Sequence, residues 1–272
     1  MRYSITLSYD GSQFCGWQVQ PGEMTVQESL EKALSTLLGT DIAVTGAGRT
    51  DSKVNAIGYV AHFDSPTVLD TEAFGYKLNA ILPRAIVVQS VREAPEDFHA
   101  RFGATRREYT YFLNRKRDPF VEKYSYLCGY PLDIDAMNEA ARSLLGRHDF
   151  RCFEKVGADN KTSLCTVYEA FWSPYTPAHV SLMGYSGAVG KPGRDSSGAD
   201  YLYFRISADR FLRNMVRATV GSLIEVGRGR RSIGDFTALV LPPDYAGTQA
   251  TRSDAGESVP GHALFLSKVE YP

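Results

Sequence analysis

The sequence predicts an α+β fold in which helices cover a mostly antiparallel sheet. Several segments alternate polar and apolar side chains with the period of two that is expected of half-buried strands. Single helical segments lie between these strands, an order that favours a sheet with helices packed on it. The chain has 272 residues, 43% of them hydrophobic, and can therefore bury one large or two modest cores.

The amino-terminal half contains well-marked helix and strand boundaries. Residues 2–9 alternate polar and apolar side chains and are predicted to form a strand. Thr25 and Glu28 have the spacing of a capping box, and the apolar residues that follow keep helical spacing until Gly39 ends the helix. The other elements predicted in this half are a strand at 57–63, a helix from Asp70 to Ile81 and a strand at 84–91.

The carboxy-terminal half repeats the alternation of strands and helices. Its predicted elements are strands at 107–115, 166–172, 201–208 and 263–271, and helices at 135–145, 210–226 and 233–241. Residues 173–200 are rich in Ser, Gly and Pro and are predicted to form a flexible hairpin loop or insertion. We therefore predict an amino-terminal lobe at 1–105 and a carboxy-terminal lobe at 106–272 that carries the insertion.

Composition limits the classes of function. The net charge is −1, from 30 basic and 31 acidic residues, so a surface for polyanions must be local. Two basic clusters fit that description, namely six arginines between Arg210 and Arg231, and residues 115–117. The four cysteines have neither zinc-ligand nor disulfide-framework spacing. Without a long apolar run or a signal sequence, the protein is expected in the cytoplasm and not in a membrane.

The loop GAGRTD, residues 46–51, contains the candidate catalytic carboxylate, Asp51. An Asp between Thr and Ser is more often a turn former, and turn propensity alone favours that interpretation by roughly three to one. Support for catalysis must therefore come from elsewhere in the chain.

Eight motifs in order along nearly the whole chain resemble the tRNA pseudouridine synthase A family. They are YDGSQFCGWQ, TVQESLEKAL, GAGRTD followed by VNAIGYVAHF, FHARFGAT, RREYTYFL, LLGRHDF, FLRNMVRATVGSLIEVGRG and GHALFLSKVEYP. The resemblance implies that Asp51 is the catalytic aspartate, that Tyr109 stacks on the target uracil and that Arg217 pairs with the aspartate. It also implies that Arg49 helps to displace the target base and that Leu264 lines the pocket.

The same resemblance implies two ferredoxin-like or RNA-recognition-like lobes with a cleft between them. It further implies a homodimer that binds tRNA and isomerises uridines thirty-eight to forty of the anticodon arm, without a metal or an organic cofactor. From the residues alone, Tyr109 is equally well a core residue, Arg49 an exposed arginine and Arg217 a side chain extending from a buried helix.

The residue types suit the implied reaction. Pseudouridine forms when the bond from ribose C1′ to N1 breaks, the uracil rotates and C1′ joins to C5. An ionised Asp51 can attack C1′ or take a proton while a glycal forms, and the sequence leaves both roles open. An arginine such as Arg217 can hold that carboxylate with a bidentate fork.

The catalytic loop departs from the family pattern at two positions. Lys53 stands where Gly is usual, and Asn55 stands where His is common. Lys53 could bind phosphate, favour the ionised form of Asp51 or point into solvent, and Asn55 keeps a hydrogen-bonding side chain that cannot titrate. We include both residues among the substrate-binding candidates. The alternative functions are an inactive RNA-binding protein of the same fold, and an Asp-nucleophile hydrolase, for which the sequence offers no metal cluster or phosphate loop.

Overall fold

The computed structural model describes residues 1–157, 160–185, 199–247 and 251–272. The chain divides into two compact units, Met1–Arg107 with Phe265–Pro272, and Glu108–Leu264. The fold is α+β with mostly antiparallel strand pairing, and the predicted fold class is therefore confirmed.

Ten strands and six helices are defined within the described residues. The strands are β1 (Arg2–Tyr9), β2 (Val44–Gly46), β3 (Asn55–Asp64), β4 (Ile86–Glu93), β5 (Arg106–Asn114), β6 (Tyr126–Leu127), β7 (Gly146–Asp149), β8 (Leu164–Pro174), β9 (Tyr201–Ala208) and β10 (Leu264–Glu270). The helices are α1 (Val26–Leu38), α2 (Thr71–Ile81), α3 (Ile134–Arg142), α4 (Ala178–Met183), α5 (Met215–Gly227) and α6 (Ile233–Thr237).

The first unit is built on β3. On one side β3 pairs antiparallel with β1, which pairs with β4. On the other side it pairs antiparallel with β2 near its end and parallel with β10 near its start. Alternate residues of β1 are buried, and α2 packs against β4. The residues between β2 and β3 form the loop that carries Asp51.

Side-chain caps explain why the helices of this unit begin where they do. The hydroxyl of Thr25 accepts a hydrogen bond from the amide of Glu28, and the carboxylate of Asp70 accepts one from the amide of Ala73. Gly39 has a φ of 68° and ends α1 in the left-handed conformation. These boundaries agree with the prediction.

The second unit has strand order β5–β9–β8–β7, with β6 paired in parallel with β5. Helix α5 contacts both α3 and α6, and α3 also contacts β8. Almost every residue of α5 is buried, which makes this helix the centre of the unit's core.

Some boundaries in the second unit differ from the prediction. Helix α5 begins at Met215 and not near residue 210, because Asn214 has a φ of 69°, which lies outside the helical region. Helix α3 ends at Arg142, three residues earlier than predicted. The short strands β2, β6 and β7 were not predicted, since two to four residues are too few to establish a period. The predicted loop at 173–200 contains α4, and its residues 186–198 lie outside the described part of the chain.

In the described ranges, every helix is too short or too polar to cross a membrane.

Candidate active site

Asp51 lies in a short, tightly turned loop between β2 and β3. Its backbone carbonyl accepts a hydrogen bond from the amide of Val54 at 3.1 Å. Between them Lys53 adopts the left-handed conformation, with a φ of 65°. The Asp51 side chain is half-buried, so it is reached from solvent but held within a structured loop.

The segment after β1 packs directly on the backbone of this loop. A Cβ atom at Gly11 would lie 2.1 Å from the carbonyl oxygen of Val54, and one at Gly16 would lie 2.5 Å from that of Thr50. The amide of Trp17 donates to the same Thr50 carbonyl at 3.2 Å. Only glycine fits at these two contacts. Residues 11–16, here called the glycine-rich segment, therefore fix the loop at Thr50 and at Val54, on either side of Asp51.

Two buried tyrosines of the sheet are hydrogen-bonded to the same loop. The Tyr59 hydroxyl on β3 donates to the carbonyl of Gly48. The Tyr9 hydroxyl on β1 and the Thr50 hydroxyl form a hydrogen bond of 2.9 Å. The Trp17 ring stacks on Tyr59 with 4.0 Å between ring centroids and restricts its movement. The loop therefore rests on an aromatic cluster in the core.

Arg107 forms the third support of the loop. Its Nε and Nη2 atoms donate to the carbonyl of Ala47 at 3.2 and 2.9 Å. Nη2 also donates to the carbonyl of Arg101 at 2.6 Å. The guanidinium thus joins the loop that carries Asp51 to the chain just before β5.

Sequence reasoning missed Tyr9, Tyr59 and Arg107 as positioning residues. Each acts by a side-chain hydrogen bond to a segment distant in sequence, and no local pattern marks such a contact. Tyr9 alone had a usable signal, since it and Trp17 flank the segment that contains Gly11 and Gly16.

The other predicted residues of this loop lie in different environments. Arg49 is exposed, and its Nε donates to Oε1 of Gln18 at 3.3 Å. The Lys53 side chain is also exposed. Asn55 is 1% exposed, and its Oδ1 accepts a hydrogen bond from the amide of Gly11 at 2.8 Å. The structural role of Asn55 is therefore to attach the glycine-rich segment to β3.

Tyr109, Arg217 and Leu264 belong to the second unit. Tyr109 is half-buried on β5, and the ring of Phe211 meets it edge-on at 5.1 Å between centroids. The Nε of Arg217, on α5, donates to the carbonyl of Val259 at 2.7 Å. Leu264 is buried at the start of β10.

The segment at 256–260 is hydrogen-bonded to both α5 and β5. The amide of Val259 donates back to the carbonyl of Arg217, so the two residues are joined in both directions. The Tyr111 hydroxyl donates to the carbonyl of Pro260 at 3.2 Å, and burial raises the pKa of Tyr111. Since Tyr111 and Tyr109 are two residues apart on β5, they share a face of that strand.

The structure thus places the predicted residues in two groups. Arg49, Asp51 and Lys53 share one loop of the first unit, and Asn55 is the first residue of β3, directly after that loop. Tyr109, Arg217 and Leu264 belong to β5, α5 and the start of β10 in the second unit, and of these Arg217 is bonded to the 256–260 segment. The first group can supply a carboxylate and exposed cations, and the second can supply an aromatic ring, a fixed guanidinium and an apolar side chain.

Comparison with known proteins identifies a family with this combination of segments. The tRNA pseudouridine synthase family model matches residues 5–103 and 140–272. A tRNA pseudouridine synthase A from Bacteroides thetaiotaomicron is 45% identical over 271 residues, covering 100% of this chain and 91% of the relative. The enzyme of the same name from Bacillus licheniformis is 40% identical over 275 residues, covering 100% of this chain and 99% of the relative.

Proposed function

The chain belongs to the tRNA pseudouridine synthase family, and we propose that it isomerises uridines thirty-eight to forty of the tRNA anticodon stem-loop with Asp51 as the catalytic carboxylate. An enzyme of this family is an isomerase, because it replaces the bond from uracil N1 to ribose C1′ by a bond from uracil C5 to the same carbon. The full-length similarity to tRNA pseudouridine synthases A supports the choice of tRNA as the substrate.

The observation that carries the assignment of Asp51 is the construction of its loop. An ordinary surface turn does not require two glycines in backbone contact with it, two tyrosine hydroxyls bonded to it and an arginine fixed on its first carbonyl. Such support holds a reacting carboxylate within a narrow range of positions, and small errors of position cost much of the rate. This supports Asp51 as a catalytic residue whether it acts as nucleophile or base.

We assign the second group of residues by the chemistry that each can perform. Tyr109 would stack on the target uracil, because its ring is half-buried and held edge-on by Phe211. Arg217 would pair with Asp51, because the bond from Nε to Val259 fixes the plane of the guanidinium and so its bidentate fork. Leu264 would line the apolar wall of the pocket.

The exposed cations of the loop would contact RNA. Arg49 would enter the space left by the displaced uridine and offset part of the unstacking cost of a few kcal/mol. Lys53 would bind a neighbouring phosphate, since its side chain is exposed beside Asp51. Asn55 would shape the substrate site indirectly, through the Gly11 amide that it holds.

We also propose that the protein acts in the cytoplasm as a homodimer that binds tRNA. The support is the resemblance of its motifs to a family of dimeric tRNA-modifying enzymes. Sedimentation equilibrium with and without tRNA tests the dimer, and a purely monomeric protein in both conditions would contradict it.

Release of tritium from tRNA labelled at C5 of uridine tests the proposed activity. We expect release by the intact protein and none by Asp51→Ala, because no other group of the loop can replace the carboxylate. Binding of tRNA by Asp51→Ala should be retained within about threefold, since the substitution removes one side chain of a loop held by its neighbours. Binding without release by the intact protein would favour an inactive RNA-binding protein instead.

A further inference from the structure

A rigid turn at residues 98–103, here called the Phe102 turn, lies beside the catalytic loop in the first unit. The amide of Ala100 donates to Nδ1 of His62 at 3.1 Å. The Tyr271 hydroxyl donates to the carbonyl of Ala100 at 2.7 Å. The backbone amide and the backbone carbonyl of Ala100 are thus both hydrogen-bonded to side chains, the amide to His62 on β3 and the carbonyl to Tyr271.

The turn is also fixed from within. Nδ1 of His99 accepts hydrogen bonds from the amides of Arg101 and Phe102, both at 3.2 Å. The amide of Gly103 donates to the carbonyl of His99 at 2.8 Å. These hydrogen bonds leave the backbone at Phe102 little freedom to move.

This rigid turn nevertheless holds an aromatic ring in solvent. Phe102 is 77% exposed. The ring of His99 lies 4.5 Å from its centroid, and the guanidinium carbon of Arg101 lies 5.5 Å from it. A single exposed phenylalanine needs no explanation. An exposed aromatic ring on a fixed backbone, with an imidazole and an exposed guanidinium beside it, is a combination suited to stacking on nucleic-acid bases.

Arg107 joins the Phe102 turn to the loop that carries Asp51. One nitrogen of Arg107, Nη2, donates both to the carbonyl of Arg101 in the turn and to that of Ala47 in the catalytic loop. The two segments are therefore separated by a single guanidinium group, and only three residues stand between Ala47 and Asp51.

We propose that the Phe102 turn is a stacking platform for a nucleotide that flanks the target uridine. The base stacks on the exposed ring of Phe102, and the guanidinium of Arg101 binds the adjacent phosphate. The proposal rests on the proposed function, because that function identifies the polymer as tRNA with a displaced base. The platform would bind a nucleotide that flanks the target uridine, in addition to the contacts made with the target itself.

Binding of an anticodon stem-loop RNA tests the platform. The RNA carries 2-aminopurine beside the target uridine, and the protein carries Asp51→Ala so that no turnover occurs. We expect Phe102→Ala to weaken binding about tenfold and to abolish the fluorescence quenching that accompanies binding, because both depend on the stack. Phe102→Trp should retain both signals, whereas Phe102→Leu should lose the quenching because it lacks an aromatic face.

Tyr76→Ala is the matched control. Tyr76 lies on α2 of the same unit and is 79% exposed, so its replacement removes a comparable ring from solvent. Its binding and quenching should equal those of the parent. Equal losses in both alanine variants, or full quenching by Phe102→Leu, would overturn the platform.

Kinetics in the otherwise intact protein separates this platform from a structural role. Phe102→Ala should raise KM about tenfold with little change in kcat, since the stack exists in both the ground and transition states. A fall in kcat at unchanged KM would instead indicate a disturbed catalytic loop and would overturn the proposal. If the intact protein binds the RNA without turnover, the proposed function fails while the binding test still decides the platform.

Discussion

Tyr59 is a core side chain that is hydrogen-bonded to the loop that carries Asp51. Replacing Tyr59 by Phe keeps the stack on Trp17 and removes only the hydroxyl that donates to Gly48. We expect a loss of about 0.5 to 1.5 kcal/mol in the free energy of unfolding, together with a several-fold fall in kcat as the loop gains freedom. Urea unfolding and tritium-release kinetics measure the two effects.

Tyr3 provides the control for that experiment. It is also fully buried in the first unit, and its hydroxyl accepts a hydrogen bond from the amide of Leu69, which lies outside the catalytic loop. Tyr3→Phe should lose similar stability and keep its kcat. A fall in kcat that is equal in the two variants would refute the role of Tyr59 in positioning the loop.

Lys53 occupies a backbone conformation that suits glycine. Because its φ is 65°, Lys53→Gly should raise the free energy of unfolding by about 0.5 to 1 kcal/mol. Lys53→Asn should be close to neutral in stability, since Asn tolerates this conformation better than most residues. Denaturant titration of the three proteins measures the difference, and a destabilised Lys53→Gly variant would contradict the argument.

At this scale the sequence predicts some roles better than others. It predicts a catalytic role for Asp51 from its motif, and it draws attention to the substitution at Lys53, whose positive φ the structure then shows. It cannot show that Asn55 is buried and bonded to Gly11, nor that Arg107 bonds to Ala47. These contacts join segments that are far apart in sequence, and single residues do not reveal them.

Helix α5 depends on a very close approach of the 256–260 segment. A Cβ atom at Gly221 would lie 1.8 Å from the carbonyl oxygen of Glu257. Gly221→Ala should therefore destabilise the protein by about 1 to 3 kcal/mol or more and displace the segment that holds Arg217. The midpoint temperature of thermal unfolding and kcat should both fall.

Gly75 is the matched glycine for that substitution. It lies within α2, and an added Cβ would make an ordinary contact of 3.8 Å with Val91. Gly75→Ala should be neutral or stabilising by up to about 1 kcal/mol, because alanine is the better helix former. If Gly221→Ala were equally well tolerated, the close packing of α5 would not matter to stability.

Element boundaries are predictable where a local signal sets them. Thr25, Gly39 and Asp70 are capping residues, and the helices begin or end beside them as expected. The start of α5 was wrong because Asn214 leaves the helical region while the apolar spacing continues through it. Its amide side chain donates to the hydroxyl of Ser258, a tertiary contact that periodicity cannot reveal.

Across the whole molecule, pH acts on stability through groups whose pKa values are shifted in the folded state. Burial, with smaller contributions from Arg2 and His99, lowers the pKa of His62 from 6.5 to about 4, while Asp64 acts in the opposite direction. The unfolded chain therefore takes up a proton at a higher pH than the folded chain does. Stability from this histidine is full above about pH 6.5 and is lost as the pH falls towards 4, by at most about 1.4 kcal/mol per pH unit.

The carboxylates act in a lower range. Burial acts to raise the pKa of Asp118, but hydrogen bonds from Tyr201, the Phe120 amide and His179 together lower it. Arg2 lowers the pKa of Asp64. Their contribution is lost only below the usual value of 3.8. His62→Asn should thus flatten the pH dependence of urea unfolding between 6.5 and 4 and leave the steeper loss at lower pH. An unchanged profile would show that His62 does not control this window.

The fold class is predictable at the molecular scale because strand alternation and helix spacing are strong along most of the chain. The division of the described chain into two units follows less directly, since Phe265–Pro272 returns to the first unit through β10. No local pattern states which distant strand a terminal strand will join.

A map of pseudouridines in tRNA from cells that lack this protein tests the proposed activity most directly. We expect pseudouridine at nucleotides thirty-eight to forty to disappear, to return when the intact chain is supplied and not to return with Asp51→Ala. Unchanged modification at these nucleotides in the deletion would contradict the proposed activity, and its restoration by Asp51→Ala would contradict the role of Asp51.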